Sequence, residues 1–198
     1  MTEQMFIEPR YSQQQRKGWI EVICGSMFSG KTEELIRRIN RAKIANQKVE
    51  IFKPAVDVRY DESKVVSHNE NAVLSTPVSS SLNILLMSND ATVVGIDEAQ
   101  FFDDQLIYVC ETLAEQGMRV IVAGLDMDYL GKPFGTMPQL MAVAEYVTKV
   151  HAICMVCGDL ATHSFRKSDH DALIMLGETD AYEARCRHCF NKGMTEQK

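Results

Sequence analysis

The chain has 198 residues, room for one α/β domain of ordinary size and a small appendage. It is 45% hydrophobic and 24% charged, and its formal net charge of −6 excludes the basic balance expected of a general nucleic-acid binder. No apolar run approaches the length of a membrane span, and the polar start, Met1 to Gly18, lacks the apolar core of a signal peptide, so a cytoplasmic protein with no membrane partner is expected.

Residues 1–17 carry a Gln13-Gln14-Gln15 run and little apolar content, which predicts a flexible N-terminal arm. Trp19 to Cys24 is short, apolar and rich in β-branched residues, and reads as a strand. Gly25-Ser26-Met27-Phe28-Ser29-Gly30-Lys31-Thr32 follows at once and fits G-x-x-x-x-G-K-[ST], the phosphate-binding P-loop. Leu35, Ile36, Ile39 and Ala42 then recur at helical spacing among Glu33, Glu34, Arg37, Arg38 and Arg41. Strand, loop and helix in that order are the context the motif needs. A loop that turns tightly into a helix leaves its backbone N–H groups pointing into the turn, where a polyphosphate can fill them. Gly25 and Gly30 allow the dihedrals and close approach that a side chain would block. Lys31 would reach the β- and γ-phosphates of ATP, and Thr32 would offer its hydroxyl to Mg²⁺.

Lys48 to Lys53 alternates with period two and ends at Pro54, a second strand. The polar stretch 57–72 holds Arg59, Asp61, Lys64, His68 and Asn69, and reads either as a solvated loop or as a lid over a bound nucleotide. Val73, Leu74 and Val78 suggest one short strand around Pro77, and Leu82, Leu85 and Leu86 a short helix. Ala91 to Ile96 has few polar positions, the mark of a strand buried on both faces. Leu106, Val109, Cys110, Leu113 and Ala114 recur at helical spacing up to Gly117, a C′ stop. Met118 to Gly124 is another core strand. Met137, Leu140, Met141 and Ala144 form a helix stripe with Pro138 in its first turn, and Tyr146 to His151 a last strand. Strands alternating with helices predict a mostly parallel sheet flanked by helices, of the P-loop NTPase kind, over 18–151.

The buried strand ending at Ile96 delivers Asp97 and Glu98 to its carboxyl edge, where open α/β sheets bind ligands. A P-loop enzyme needs an acidic residue there for Mg²⁺, a role assigned to Asp97. Glu98 is then placed to accept a proton from an attacking hydroxyl.

Cys154-x-x-Cys157 and Cys186-x-x-Cys189 stand 28 residues apart. Two such knuckles supply four thiolates, which suit tetrahedral Zn²⁺ and leave no open position for substrate, so the metal is read as structural. Residues 152–192 become a small zinc-binding hairpin domain and 193–198 a tail. The metal would pin both ends of 159–185 into a closed loop able to fold over a ligand. Cys24 and Cys110 lie in apolar segments and read as buried fillers.

The P-loop, the Asp97-Glu98-Ala99-Gln100-Phe101-Phe102 run, the Leu125-Asp126 pair after a strand and the two knuckles agree in order and spacing with one family. From Trp19 to Cys189 the chain resembles the zinc-containing thymidine kinases of the cellular and bacterial type. The resemblance implies transfer of the γ-phosphoryl group of ATP to the 5′-hydroxyl of thymidine, with deoxyuridine as a possible second acceptor. It implies that Glu98 is the general base, with Lys31 and Arg59 as catalytic partners. Asp57 and Arg59 match an Asp-x-Arg pair near the transferring phosphate, and Ala99 and Gln100 fall beside the ATP site. The segment between the knuckles matches the family's lasso, which closes over the nucleoside. Met27, Phe101, Leu125, Tyr129, Phe134, Ser164, Leu173, Met175, Gly177 and Tyr182 then line the nucleoside pocket. Tyr129 stands where Phe is usual and Ser164 where some members have Thr; both keep the character of the site. A homotetramer and feedback inhibition by thymidine triphosphate are implied in the same way.

Two other readings differ in class. Asp97-Glu98-Ala99-Gln100 also resembles the acidic box of nucleic-acid-dependent ATPases, but the chain is acidic and lacks a basic stripe. A non-catalytic nucleotide sensor would have no need of Glu98 as a base.

Overall fold

The computed structural model describes residues 17–55, 64–66, 72–167 and 181–197. Residues 1–16 of the expected arm, most of the 57–72 stretch with Asp57 and Arg59, and the pocket candidates Leu173, Met175 and Gly177 lie outside the described residues. In chain order the elements are β1 (Trp19–Cys24), α1 (Lys31–Ile44), β2 (Val49–Pro54), β3 (Lys64–Val66), β4 (Ala72–Leu74), β5 (Thr76–Val78), α2 (Leu82–Met87) and β6 (Val93–Ile96). There follow α3 (Gln105–Glu115), β7 (Arg119–Gly124), α4 (Met137–Val143), β8 (Tyr146–Lys149), β9 (Ala152–Ile153), β10 (Leu160–Ala161), β11 (His163–Arg166), β12 (Tyr182–Arg185) and α5 (Arg187–Glu196).

Six strands form one sheet in the order β5-β2-β6-β7-β1-β8, and every pairing is parallel. Side-chain alternation sets its two layers. In β7, Val120 and Val122 pack with Leu106, Val109 and Leu113 of α3 and Met137 and Leu140 of α4, while Ile121 and Ala123 pack with Leu35, Ile36 and Ile39 of α1. Helices thus cover both faces, and β6 and β7 are buried along their whole length. Gly117 closes α3 with φ 87°, the left-handed turn expected there. Cys24 and Cys110 are both buried, and burial pushes the Cys24 thiol up to about 11. Among the described residues, no helix is long and apolar enough to cross a membrane.

Three local features depart from expectation. The single strand read around Pro77 is two strands broken at Ser75: β5 adds to the main sheet beside β2, whereas β4 pairs antiparallel with β3. In α2 the buried residue is Ile84, with Leu85 packed beside it on the core, while Leu86 is 74% exposed, because two positions on from Ile84 it faces the opposite side of the helix. Arg38 sits among the polar positions of α1 yet is fully buried. Its Nη1 donates to Glu21 Oε2 at 2.8 Å, its Nε to Glu34 Oε1 at 2.8 Å, and its Nη2 to Thr148 Oγ1 at 3.0 Å. Glu21, on buried β1, also accepts from Arg119 Nε and Trp19 Nε1, each at 2.6 Å. Saturation of this kind is what a charge taken out of water requires.

The C-terminal part is built from two antiparallel hairpins, β9–β10 and β11–β12, and α5, which runs through Glu196 across the expected junction at 192/193.

Candidate functional site

β6, β7 and β1 are neighbours, with Ile96 beside Val122 and Gly124 beside Cys24. The loops after all three strands therefore leave from one edge, the carboxyl edge at which parallel sheets hold ligands. Thr32 and Asp97, 65 residues apart in the chain, meet there because β1 and β6 both flank β7 in the sheet.

The loop after β1 turns sharply. Gly25 has φ 148°, and a Cβ there would stand 2.2 Å from the Val150 carbonyl oxygen, so no other residue fits. Phe28 and Gly30 follow with φ 62° and 85°. Left-handed residues within a tight turn gather backbone N–H groups into an anion-binding nest. Ser29 Oγ and Lys31 Nζ both donate to the Ser26 carbonyl, at 2.7 and 2.9 Å, which folds the lysine over the loop.

Asp97 is 6% exposed and its Oδ2 lies 3.5 Å from Thr32 Oγ1. A hydroxyl and a carboxylate from adjoining elements form the hard oxygen donor set that Mg²⁺ prefers. Asp97 Oδ1 accepts the Glu98 N–H at 3.0 Å. Glu98 itself has φ 53°, a left-handed conformation uncommon outside glycine. Gln100, 4% exposed, holds its carboxylate: Gln100 Nε2 donates to Glu98 Oε2 at 2.5 Å, and Gln100 Oε1 accepts the Leu125 N–H at 2.8 Å. Ala99 is buried, its carbonyl accepting from Thr136 Oγ1 at 3.2 Å.

Of the nucleoside-pocket candidates, seven are described; Leu125 is held by Gln100, and the other six meet in pairs. Phe101 and Phe134 meet edge to face at 5.7 Å. The Met27 N–H donates to Ser164 Oγ at 3.0 Å, joining the phosphate loop to β11. Tyr129 and Tyr182 share Arg166, whose guanidinium lies 3.5 Å from the Tyr129 ring centroid and 5.7 Å from that of Tyr182. Arg166, 3% exposed, was missed from sequence. Its one signal was position in a buried strand beside Ser164, and an arginine in such a place needs a partner that spacing does not name. Asp126, singled out with Leu125, pairs with Lys149 Nζ at 2.6 Å.

The four cysteines of the two knuckles converge, with their sulfur atoms all within 4.8 Å of one another. Cys157 Sγ and Cys186 Sγ are 3.7 Å apart, close to the ~3.8 Å edge of a tetrahedron with Zn–S bonds of about 2.3 Å. Gly158, with φ 79°, turns the first knuckle, and its N–H donates to the Cys154 carbonyl. Cys186 caps α5 by accepting the Cys189 N–H at 3.4 Å. Burial opposes ionisation of Cys154, but hydrogen bonds from the backbone of Cys186, Cys157 and Val156 outweigh it and bring the thiol down to about 6. The cluster is compatible with a structural zinc ion; exposed His188 is not among its four ligands.

The sequence model described as thymidine kinase matches residues 18–190. The chain belongs to the thymidine kinase family. A thymidine kinase of Rhodothermus sp. is 65% identical over 87% of this chain and 81% of its own. One from Porphyromonas gingivalis is 60% identical over 94% of this chain and 91% of its own, and one from Bacteroides fragilis 58% over 98% of each. Neither alternative reading draws support from these relatives.

Proposed function

We propose that this chain transfers the γ-phosphoryl group of ATP to the 5′-hydroxyl of thymidine, with deoxyuridine as a second acceptor, giving the nucleoside monophosphate and ADP for DNA synthesis by salvage. The observation that carries the reading is the phosphate nest after β1 facing the same sheet edge as the Asp97–Glu98 turn after β6.

Phosphoryl transfer asks a protein mainly for positioning and charge neutralisation. The N–H groups of Gly25 to Thr32 and the Lys31 ammonium would hold the triphosphate. Thr32 and Asp97 would hold Mg²⁺, which when bound neutralises phosphate oxygens. Glu98, aligned by Gln100, would take the proton from the 5′-hydroxyl as it attacks. Asp57 and Arg59 are proposed beside the transferring group. Met27, Phe101, Leu125, Tyr129, Phe134, Ser164 and Tyr182, with Leu173, Met175 and Gly177, are proposed to enclose the nucleoside and exclude water that would otherwise accept the phosphoryl group. A cytoplasmic homotetramer inhibited by thymidine triphosphate completes the proposal.

The test is product formation across a nucleoside panel with ATP and Mg²⁺. Thymidine should be converted to its monophosphate. Binding of ATP without phosphorylation of any nucleoside would sink the proposal and favour a sensor.

A further inference from the structure

The phosphate loop is gripped from outside the sheet. Its apex is Met27-Phe28. The Met27 N–H is fixed by Ser164 Oγ of β11 at 3.0 Å. The Phe28 side chain packs on the apolar cluster of Ala152, Cys154, Ala161, Ala184 and Cys189. Two of those residues belong to the four-thiol cluster, and the others sit on β9, β10 and β12. Phe28 is also the non-glycine residue of this loop with positive φ, 62°. A bulky aromatic side chain resists that conformation and keeps it only where the surroundings hold it. Here the surroundings are the zinc module.

We infer that Phe28 is a positioning residue: by seating its ring on the thiol cluster's apolar floor it holds the P-loop in the left-handed shape that aims its N–H groups at ATP. The knuckles then serve two sites, since the same module that carries the proposed nucleoside wall also sets the phosphate cradle. Loss of metal would loosen β9, β10 and the start of α5, release Phe28 toward negative φ and turn N–H groups away from the nest. The role belongs to the side chain and is separate from any backbone contact of Phe28 with phosphate. The inference rests on reading Gly25 to Thr32 as the ATP cradle.

The experiment compares full-length zinc-loaded wild type, Phe28→Ala, Phe28→Leu and chelator-stripped wild type. Four quantities are read: bound zinc, amide hydrogen exchange over residues 25–32, Mg·ADP affinity by calorimetry, and KM for ATP against kcat. Phe28→Ala should keep its zinc, exchange faster at 25–32, and weaken Mg·ADP and raise KM for ATP about tenfold with a smaller change in kcat. Phe28→Leu, which keeps an apolar contact, should recover most of the loss. Stripped wild type should show the same faster exchange at 25–32 while β6 and β7 stay protected. Wild-type exchange and Mg·ADP affinity in zinc-loaded Phe28→Ala would overturn the inference. If Phe28→Ala loses its metal, the stripped wild type decides, and unchanged exchange at 25–32 overturns it. Failure of loaded wild type to bind Mg·ADP would instead count against the kinase reading, and the exchange comparison would still report the coupling.

Discussion

Gln100 grips Glu98: its Nε2 stands 2.5 Å from Glu98 Oε2, while its Oε1 is tied to the Leu125 N–H at the end of β7. The proposed base is thereby fixed to the sheet and cannot swing with the turn that carries it. Replacing Glu98 by Gln keeps the shape and removes the proton acceptor. We expect kcat to fall about 10²–10⁴-fold with thymidine affinity nearly unchanged. Gln100→Ala should lower kcat about tenfold by misplacing the carboxylate. Steady-state kinetics with equilibrium thymidine binding checks both; equal losses in binding and kcat would contradict the assignment.

Ser164 accepts the Met27 N–H from within β11. In Ser164→Ala that half-buried donor loses its partner, at a cost of about 1 kcal/mol. The expected outcome is a several-fold rise in KM with a lowered thermal midpoint, and Ser164→Thr, which keeps the hydroxyl, should restore both.

Arg38 joins α1 to β1 through Glu21 and to β8 through Thr148, while Glu34 one turn earlier on α1 holds its Nε. Arg38→Ala leaves a buried carboxylate short of one cation and should destabilise the fold by about 3–5 kcal/mol. Urea unfolding measures it. Loss under about 1 kcal/mol would mean that Arg119 alone satisfies Glu21.

Asp103 gives a pH signature. Burial raises its carboxyl, but hydrogen bonds from Ser81, Ser80 and the Gln105 N–H outweigh that and hold it below the ordinary 3.8. A carboxylate depressed in the folded state adds stability that is complete above its unfolded value and lost as pH falls through its lower folded value. Asp103→Asn should therefore be slightly less stable than wild type near pH 7, with the gap closing in acid; solvent around this exposed carboxylate keeps the difference small. A pH series of thermal midpoints reads it.

The parallel sheet, its α/β alternation and the P-loop were legible because long apolar runs and a spaced motif survive in one dimension. The thiol cluster was legible for the same reason: Cys154, Cys157, Cys186 and Cys189 announce themselves by spacing. Arg38 was not, since its polar identity in an amphipathic pattern says solvent, and only the fold brings Glu21 beneath it. The break at Ser75 was hidden too, because β4 and β5 are each three residues long and their partners lie in different sheets. Arg166 and the Phe28 contact arise between distant segments, which local pattern cannot register. Most of the chemistry was readable from motifs; the scaffolding that aims it was not.

With zinc in place, the two knuckles fasten Cys154 and Cys157 to Cys186 and Cys189 across a long intervening stretch. A single cut of the chain between β11 and β12 would therefore yield a nicked protein that still migrates as a single particle on a native column. The fragments would then be held by the metal together with the β11–β12 pairing, so the extra separation that a chelator brings on the column gauges what the stapled cysteines add to that pairing.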